Sequence, residues 1–533
     1  MRRFAGVLAC TIAASALTAI TMTPHIGAAT APTQFWGGVT AAPGPQPGSY
    51  ALTWARADPP SGYVLDVEAQ YSGSATWTNF VTGTTELGET FTPTVSGPYS
   101  FRGRLRNATT DQAAGWSPTL TLAGDWSMFG NGSRHPGVTH DPTIGASNAA
   151  GLAVKWKTLA TPFKDFVASP AVAFNSELDE PLVYTATVSG TIAARELATG
   201  ATVWTSPGNG TIEASPAVFG NTVYVGTERH RLLALDAATG ALQCEFSLTG
   251  AVISSPVVGS VDSTGPVVFF GDDGTSEADN AGHEWAVNGV GNTAGACTRK
   301  WVFNNWKNKG PASSRTGSWS PPALTTDSLR RALLVFGSAD PDDAVYALNA
   351  RNGKQVWRFQ TTITTPDQDV GAAPAVSAPG VNGFRHGAVY INGKDKFEYA
   401  LDLVTGAKIW QLDLKKAAGG ADANSQSAAA LVGNRIVVPY DRYVFSLDAT
   451  TGKQVWRSAA APGTFYSSPA VSGAPGDEVI FAGDAAGVEH AYRVSDGTQL
   501  LRVAAGGAVF SSAAVAFGSV FFGSGDGDLY ALG

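Results

Sequence analysis

The residues with the clearest chemical potential are acidic groups, one tryptophan and two lysines in the middle of the 533-residue sequence. They fall in the polar segments GDDGTSE, SWSPPAL, GSADPDD, TPDQDVGA and NGKDKFEY, and comprise Asp272, Asp273, Glu277, Trp319, Asp340, Asp342, Asp343, Asp367, Asp369, Lys394 and Lys396. Converging carboxylates suit a hard cation such as Ca²⁺, which takes oxygen ligands. An aromatic face beside a cation suits a flat anionic ligand. The same aspartates could also be solvated turn residues, because Asp is common in turns.

A repeated unit of the sequence supplies the elements that would bring these segments together. Its clearest copy, residues 215–246, alternates four short strand-like runs with tight turns that hold a capping Asp and a Gly suited to positive φ. The Ser-Pro-Ala-Val opening of the unit recurs in eight places, at Pro170, Pro216, Pro256, Pro321, Pro374, Ala428, Pro469 and Ala513. Four-stranded units spaced about 40 to 65 residues apart are typical of propeller blades. We therefore predict an all-β chain with an eight-bladed β-propeller over residues 125–533.

The two ends of the predicted propeller are complementary. The eighth unit stops at the sequence LYALG after its third strand, whereas residues 152–158 form a lone strand before the first unit. Pairing the two would complete the last blade and remove both exposed edges.

Tryptophan occupies a fixed place in several units, four residues after the Gly of the turn, at Trp204, Trp357, Trp410 and Trp456. A large flat side chain there would fill the wedge between neighbouring blades. Cys244 takes this place in the second unit. Cys244 and Cys297 are the two cysteines left after residue 10, and a bridge between them would tie adjacent blades, although spacing alone does not fix the geometry.

The N-terminal part of the chain predicts export and a second domain. Residues 1–31 have the basic start, apolar middle and small-residue end of a signal peptide, which predicts a secreted protein with no transmembrane segment after cleavage. Residues 32–124 alternate like strands of an immunoglobulin-like β-sandwich. The segments YSFRGRLRN and GWSPTLTL resemble the last strands of fibronectin type III modules, which implies a spacer or a contact with a protein or surface.

Charge and cysteine content exclude some functions. A formal net charge of −8 argues against nucleic acid or an anionic membrane as the main partner. The sequence lacks the Cys-x-x-Cys-His attachment motif of c-type haem, so no haem is expected.

Three segments resemble the pyrroloquinoline-quinone (PQQ) dehydrogenases, the quinoprotein alcohol dehydrogenase family. They are DWSMFGNG followed by LAVKW, the stretch WSPPALTTDSLRRALLVFGSADP, and GKDKFEYALDLVTG. The resemblance implies a PQQ- and Ca²⁺-dependent enzyme that oxidises an alcohol or sugar hydroxyl by hydride transfer and passes electrons to a separate acceptor.

The same resemblance implies roles for six residues. Trp319 would be the platform for the quinone ring, and Lys394 would hold the quinone oxygens. Glu277 and Asp340 would be calcium ligands. Asp369 would be the general base, with Asp367 as the competing choice.

Departures from the family pattern keep a second hypothesis open. The vicinal cysteine pair is absent, the His and Trp of the catalytic motif are missing, and Asp340 stands where the family has Asn. The alternative is a non-catalytic propeller that serves as an extracellular protein-binding scaffold.

Overall fold

The structure is a computed structural model that describes residues 39–43, 50–71, 76–91, 98–123, 125–139, 141, 143–158, 167–178, 180–273, 282–305, 317–362, 368–423 and 427–533. The predicted signal peptide, Glu277 and Asp367 lie outside these ranges. Strands dominate the described residues, which confirms the all-β prediction. The helical elements there are the single turns Ala149–Gly151, Val381–Gly383 and Leu414–Ala417, and none of them is long enough to cross a bilayer.

Eight antiparallel four-stranded sheets form the blades. From the inner to the outer strand they are Ala171–Asn175, Glu180–Ala186, Ile192–Glu196 and Thr202–Ser206 (blade 1); Ala217–Phe219, Thr222–Thr227, Arg231–Asp236 and Leu242–Ser247 (blade 2); Val257–Ser260, Pro266–Gly271, His283–Asn288 and Arg299–Asn304 (blade 3); Ala323–Thr326, Ala332–Gly337, Ala344–Asn349 and Gln355–Gln360 (blade 4); Ala375–Val376, Ala388–Asn392, Phe397–Asp402 and Lys408–Asp413 (blade 5); Ala430–Val432, Arg435–Tyr440, Tyr443–Asp448 and Gln454–Arg457 (blade 6); Ala470–Ser472, Val479–Gly483, Val488–Arg493 and Gln499–Ala504 (blade 7); and Ala514–Ala516, Ser519–Gly523, Leu529–Leu532 and Val154–Lys157 (blade 8).

The blades close into a ring. Each inner strand contacts the inner strand of the next blade, and that of blade 8 contacts that of blade 1. The outer strand of blade 8 comes from the start of the propeller, and its Lys157 pairs with Tyr530. The ring therefore joins strands from both ends of the chain.

The ring has two faces, a loop face and a turn face. The loop face holds the connections from second to third strands, such as 338–343, and those between blades, such as 248–256. The turn face holds the connections from inner to second strands, such as 327–331, and the tight turns before outer strands, such as 350–354.

Burial follows the position of a strand within its blade. The second strand of blade 2, Thr222–Thr227, is buried throughout, whereas the outer strand, Leu242–Ser247, alternates exposed and half-buried residues. The turn between the third and outer strands is held by Asp236, whose Oδ1 accepts hydrogen bonds from the backbone N–H groups of Ala238 and Thr239. The second strand thus belongs to the core, and the outer strand forms the rim.

Tryptophans on the outer strands join neighbouring blades in one repeated way. In each case the indole Nε1 donates to a backbone carbonyl in the turn of the next blade, over 2.9–3.0 Å, and the tryptophans are Trp156, Trp204, Trp301, Trp357, Trp410 and Trp456. The indole of Trp410 lies so close to Gly452 that a Cβ there would be 2.6 Å from the ring. Blades 2 and 3 are joined instead by the Cys244–Cys297 disulfide, whose Cα atoms are 6.0 Å apart.

A strap of chain before blade 1, residues 125–139 and 141, runs across the inner strands. Backbone N–H groups of inner-strand residues donate to carbonyls of the strap in blades 1, 2, 4, 5, 6 and 7; the donors are Val172, Val218, Leu324, Val376, Leu431 and Val471. The strap is thereby hydrogen-bonded to six of the eight blades.

The part of the chain before the strap forms two sheets. One contains Thr40–Pro43, Tyr50–Thr53 and Gly88–Phe91, and the other contains Thr78–Thr84, Tyr63–Tyr71, Pro98–Asn107 and Leu120–Ala123. Trp54 and Phe101 are buried between them and share a hydrophobic cluster with blade 8. Tyr50 is buried against the propeller, where its hydroxyl donates to Asp141 over 3.4 Å. The fibronectin-like identity of these sheets stays a prediction.

Candidate functional site

Three of the residues predicted to act together meet on the loop face. Asp369 is buried just before the inner strand of blade 5. Its Oδ2 accepts a hydrogen bond from the ammonium of Lys394, and its Oδ1 accepts one from the backbone N–H of Asp340 over 2.8 Å. The carboxylate therefore links blade 4 to blade 5.

A close approach of two backbones makes this contact possible. The backbone N–H of Lys394 donates to the Asp369 carbonyl over 3.0 Å. Gly393 lies beside that carbonyl, and a Cβ on it would be 2.9 Å from the oxygen. A larger residue at position 393 would push Lys394 away from Asp369.

Trp319 lies on the preceding connection between blades, which joins blade 3 to blade 4, and it is half-buried. Its indole packs against Gly317, where an added Cβ would be 2.4 Å from the ring. The Gly317 carbonyl accepts a hydrogen bond from Ala339, the residue before Asp340, over 3.0 Å. Trp319 and the Asp369 contact are therefore connected through the backbone.

Two other aspartates of the polar segments have structural partners. Asp272 is fully buried and accepts hydrogen bonds from the His283 backbone and, over 3.0 Å, from Trp285 Nε1. Asp342 forms an ion pair with Arg358 over 2.7 Å and accepts a hydrogen bond from the Tyr346 hydroxyl. Both stabilise connections on the loop face.

The structure also reveals three buried glutamates that sequence reasoning missed. Glu284, Glu398 and Glu489 occupy the same place in the third strands of blades 3, 5 and 7, four residues before the turn. The equivalent residue in the other blades is apolar and fully buried: Ile192, Leu232, Val345, Val444 and Leu529. The sequence signal was a single acidic residue in an apolar strand, in HEWA, FEYA and VEHA.

These glutamates have few partners. Glu284 accepts from the Ser318 hydroxyl over 2.9 Å, and Glu398 accepts from the Asn392 amide over 3.0 Å. Within the described residues, the second oxygen of each and both oxygens of Glu489 lack a hydrogen-bond partner. Burial raises the pKa of Glu398 to about 8 and raises the pKa values of the other two well above the usual range.

Large aromatic residues stand at equivalent places in the connections between blades. Tyr466 and Phe510 precede blades 7 and 8 as Trp319 precedes blade 4, each just before the serine that leads into the inner strand. Their side chains are 44% and 38% exposed, and their rings meet edge to face with centroids 5.5 Å apart. The loop face thus presents an exposed aromatic pair.

The described residues fit the cofactors implied by the resemblance only in part. They supply the aromatic platform, Trp319, and one cation, Lys394, which is already paired with Asp369. No cluster of three or more potential metal ligands occurs among the described residues, and Glu277 lies outside them. The described residues therefore offer a surface for an aromatic ring, and the calcium site assigned to Glu277 and Asp340 stays a prediction.

Comparison with known families and sequences gives two kinds of relative. The PQQ_2 family model, described as "Outer membrane protein assembly factor BamB", matches residues 188–288, 306–459 and 440–533. The assembly factor BamB of Bordetella pertussis is 27% identical over 62% of this chain and 75% of its own length. The quinohemoprotein alcohol dehydrogenase ADH-IIG of Pseudomonas putida is 29% identical over a segment that covers 23% of this chain and 18% of that enzyme.

Solved structures show the same two kinds. A europium-containing methanol dehydrogenase has a TM-score of 0.62 at 14% identity, covering 77% of this chain and 98% of its own. The quinohemoprotein alcohol dehydrogenase of Comamonas testosteroni has a TM-score of 0.61 at 16% identity, covering 77% and 80%. BamB of Moraxella catarrhalis has a TM-score of 0.51 at 16% identity, covering 72% and 97%. At these identities the likeness establishes the β-propeller fold alone.

Proposed function

The chain belongs to the PQQ_2 family, described as outer membrane protein assembly factor BamB, and on that premise we propose that it is an exported, non-catalytic β-propeller that binds a protein partner through its loop face. The carrying observation is the exposed aromatic pair of Tyr466 and Phe510. Aromatic side chains bury large areas at low entropic cost and dominate binding energy at protein interfaces. Trp319, at the equivalent place before blade 4, extends the same type of surface.

The polar contact of Asp369 on the same face supports a structural role for this residue. A general base needs a carboxylate oxygen directed at the proton of its substrate. Each oxygen of Asp369 already accepts a hydrogen bond, one from Lys394 and one from the backbone of Asp340. In the scaffold this contact fixes the connections of blades 4 and 5, and with them the loop face on which the partner docks.

A second candidate is a secreted PQQ- and Ca²⁺-dependent dehydrogenase that acts on an alcohol or sugar hydroxyl and uses a separate electron acceptor. The convergence of Asp340, Asp369 and Lys394 favours it. On this hypothesis Lys394 and Trp319 bind the quinone, Glu277 and Asp340 the metal, and Asp369 or Asp367 accepts the hydroxyl proton. The quinone would supply the hydride-accepting chemistry.

Site-specific photocrosslinking in the organism that makes the protein tests the scaffold. A crosslinkable residue replaces Phe510, and the matched control carries it at Leu242, which is 55% exposed on the outer strand of blade 2. We expect one protein to be crosslinked from position 510 and not from 242, and to be lost when Tyr466 is also changed to Ser. Equal crosslinking from both positions overturns the proposal.

Cofactor addition tests the dehydrogenase. The purified full chain is mixed with PQQ, Ca²⁺, a dye acceptor and a panel of alcohols and sugars. The scaffold proposal predicts no dye reduction above that of a heat-treated sample. Dye reduction that is abolished by Lys394→Met and by Asp369→Asn, and retained in the exposed control Lys453→Met, would replace the scaffold by the enzyme.

A further inference from the structure

The turn face holds a cavity that neither proposed function uses. It has a volume of about 400 Å³ and lies between blades 3, 4 and 5. The lining residues are Ser133, Arg134, Gly259, Ser260, Val261, Leu324, Thr325, Thr326, Ala332, Ala378 and Pro379. This volume is within the range of small-molecule sites, which runs from about 300 to 1,000 Å³.

The strap forms one side of the cavity and is held rigidly there. The N–H of Leu324 in blade 4 donates to the Ser133 carbonyl over 2.6 Å, and the N–H of Val376 in blade 5 donates to the Arg134 carbonyl over 3.0 Å. Two inner strands therefore fix the backbone of Arg134. The position of this arginine is built into the propeller and does not depend on a mobile loop.

Arg134 is the charged residue of the cavity. Its side chain is exposed, and no carboxylate pairs with it among the described residues. The acidic residues of the neighbouring turns already have partners, since Asp262 pairs with Lys300 over 2.8 Å and Asp327 with Arg331 over 2.7 Å. Among the described residues the cavity therefore carries a net positive charge, in a chain whose formal net charge is −8.

The remaining walls combine hydroxyl groups with apolar surface. Ser133, Ser260, Thr325 and Thr326 can donate hydrogen bonds. Val261, Leu324 and Pro379 supply apolar contact, and the Val261 carbonyl is itself bound by Arg351 Nε over 2.7 Å. A guanidinium binds carboxylate and phosphate oxygens in a bidentate manner, and the hydroxyls would complete the oxyanion contacts.

We propose that this cavity binds a small organic oxyanion, a carboxylate or a phosphate ester with an apolar portion, with Arg134 as its charged anchor. The apolar portion packs on Val261 and Leu324. The site is on the face opposite Asp369 and Lys394, and it is independent of the proposed function.

Isothermal titration of the full chain with inorganic phosphate, phenyl phosphate and benzoate tests the proposal. We expect phenyl phosphate or benzoate to bind more tightly than inorganic phosphate, and Arg134→Gln to weaken that binding about tenfold or more, because a charge-assisted contact is lost. The matched control is Arg385→Gln, an exposed arginine on the turn face of blade 5, which should change the affinity less than about twofold.

Three results would overturn the proposal. They are the absence of binding by all three probes, equal weakening by the two arginine substitutions, and binding of both organic probes no more tightly than inorganic phosphate. Thermal unfolding of Arg134→Gln should match that of the unchanged protein, because the side chain has no ion pair to lose. The Phe510→Ser protein should retain anion binding, which separates this site from the loop face.

Discussion

At the outer rim of the propeller, six tryptophans make the same contact with the next blade, whereas on the loop face equivalent places hold different residues. The rim contact pairs an indole N–H with a turn carbonyl each time. On the loop face, the third strands carry glutamate in blades 3, 5 and 7 and an apolar residue elsewhere, and the connection before the inner strand carries Trp319, Tyr466 or Phe510 in only some blades.

The difference separates stability from binding within one repeated unit. A contact repeated around the ring adds to the free energy of unfolding and leaves every blade interface alike. A departure from the repeat distinguishes one blade from the next, as a binding surface must. Substitutions at the rim should therefore change stability most, and substitutions at the exposed loop-face residues should change it least.

Replacement of a rim tryptophan should have the largest effect on stability. Trp410 is buried, donates to the Ala449 carbonyl over 3.0 Å and packs on Gly452. We expect Trp410→Ala to lower the free energy of unfolding by about 3–5 kcal/mol, measured by denaturant titration. Ile409→Ala, at a 38% exposed place on the same strand, is the control and should cost less than about 1 kcal/mol. Similar losses in both would contradict the role given to the rim.

Removal of the disulfide should have the next largest effect. Cys244 and Cys297 are 53 residues apart in sequence and hold blades 2 and 3 together. We expect the double change to Ala to cost about 2–4 kcal/mol, and dithiothreitol to have no further effect on that variant. Since the pair takes the place of a tryptophan and a turn glycine, Cys244→Trp with Cys297→Gly should restore part of the loss. No recovery would show that this interface differs from the others.

Neutralisation of Glu398 should change how stability depends on pH. Burial raises its pKa to about 8 in the folded chain, above the value of about 4.3 in the unfolded chain. Between these values the folded chain keeps a proton that the unfolded chain loses, so stability falls as pH rises, by at most about 1.4 kcal/mol per pH unit. In Glu398→Gln this contribution disappears. Thermal midpoints measured between about pH 5 and 8, which covers most of this window, should therefore fall less steeply with rising pH than those of the unchanged protein.

The control for this pH series is Glu245→Gln, at an exposed place on the outer strand of blade 2. The thermal midpoint of Glu245→Gln should depend on pH in the same way as that of the unchanged protein. An equal slope in the Glu398→Gln protein and the unchanged protein would mean that Glu398 is ionised in the folded chain.

Replacement of an exposed aromatic residue should have the smallest effect on stability. Phe510 is 38% exposed and contacts Tyr466. We expect Phe510→Ser to change the free energy of unfolding by less than about 1 kcal/mol, while it weakens binding of the partner that is identified by crosslinking from position 510. A loss as large as that of Trp410→Ala would mean that the residue belongs to the core.

The repeat made much of the fold predictable. Eight recurrences of the Ser-Pro-Ala-Val opening predicted the blades, and the regular place of Trp204, Trp357 and Trp410 predicted the rim contact. The convergence of Asp340, Asp369 and Lys394 follows because equivalent connections of neighbouring blades lie side by side. The catalytic and cofactor roles assigned to these residues, and those of Glu277 and Asp367, stay predictions.

Other features left little signal in the sequence. The strap is polar and has no periodicity, and it is held by backbone hydrogen bonds that do not depend on side-chain type. Glu398 looks like an outward-facing residue in a short strand, since one acidic residue cannot reveal that both sides of its strand are covered. Trp301 was missed because the turn before it lacks the Thr-Gly pair.

The pairing of Val154–Lys157 with Leu529–Leu532 affects how the chain folds and how it withstands proteolysis. A hydrogen bond there joins residues 371 positions apart, so blade 8 is completed by a contact between the first and last strands of the propeller. Contacts of such long range slow folding, because a large loop of chain must close before they form. A truncated product lacking Leu529–Leu532 would leave the facing edges of Ser519–Gly523 and Val154–Lys157 uncovered in blade 8, and proteases would degrade it first. Blade 8, and with it the ring, is therefore complete only when both Val154–Lys157 and Leu529–Leu532 are present.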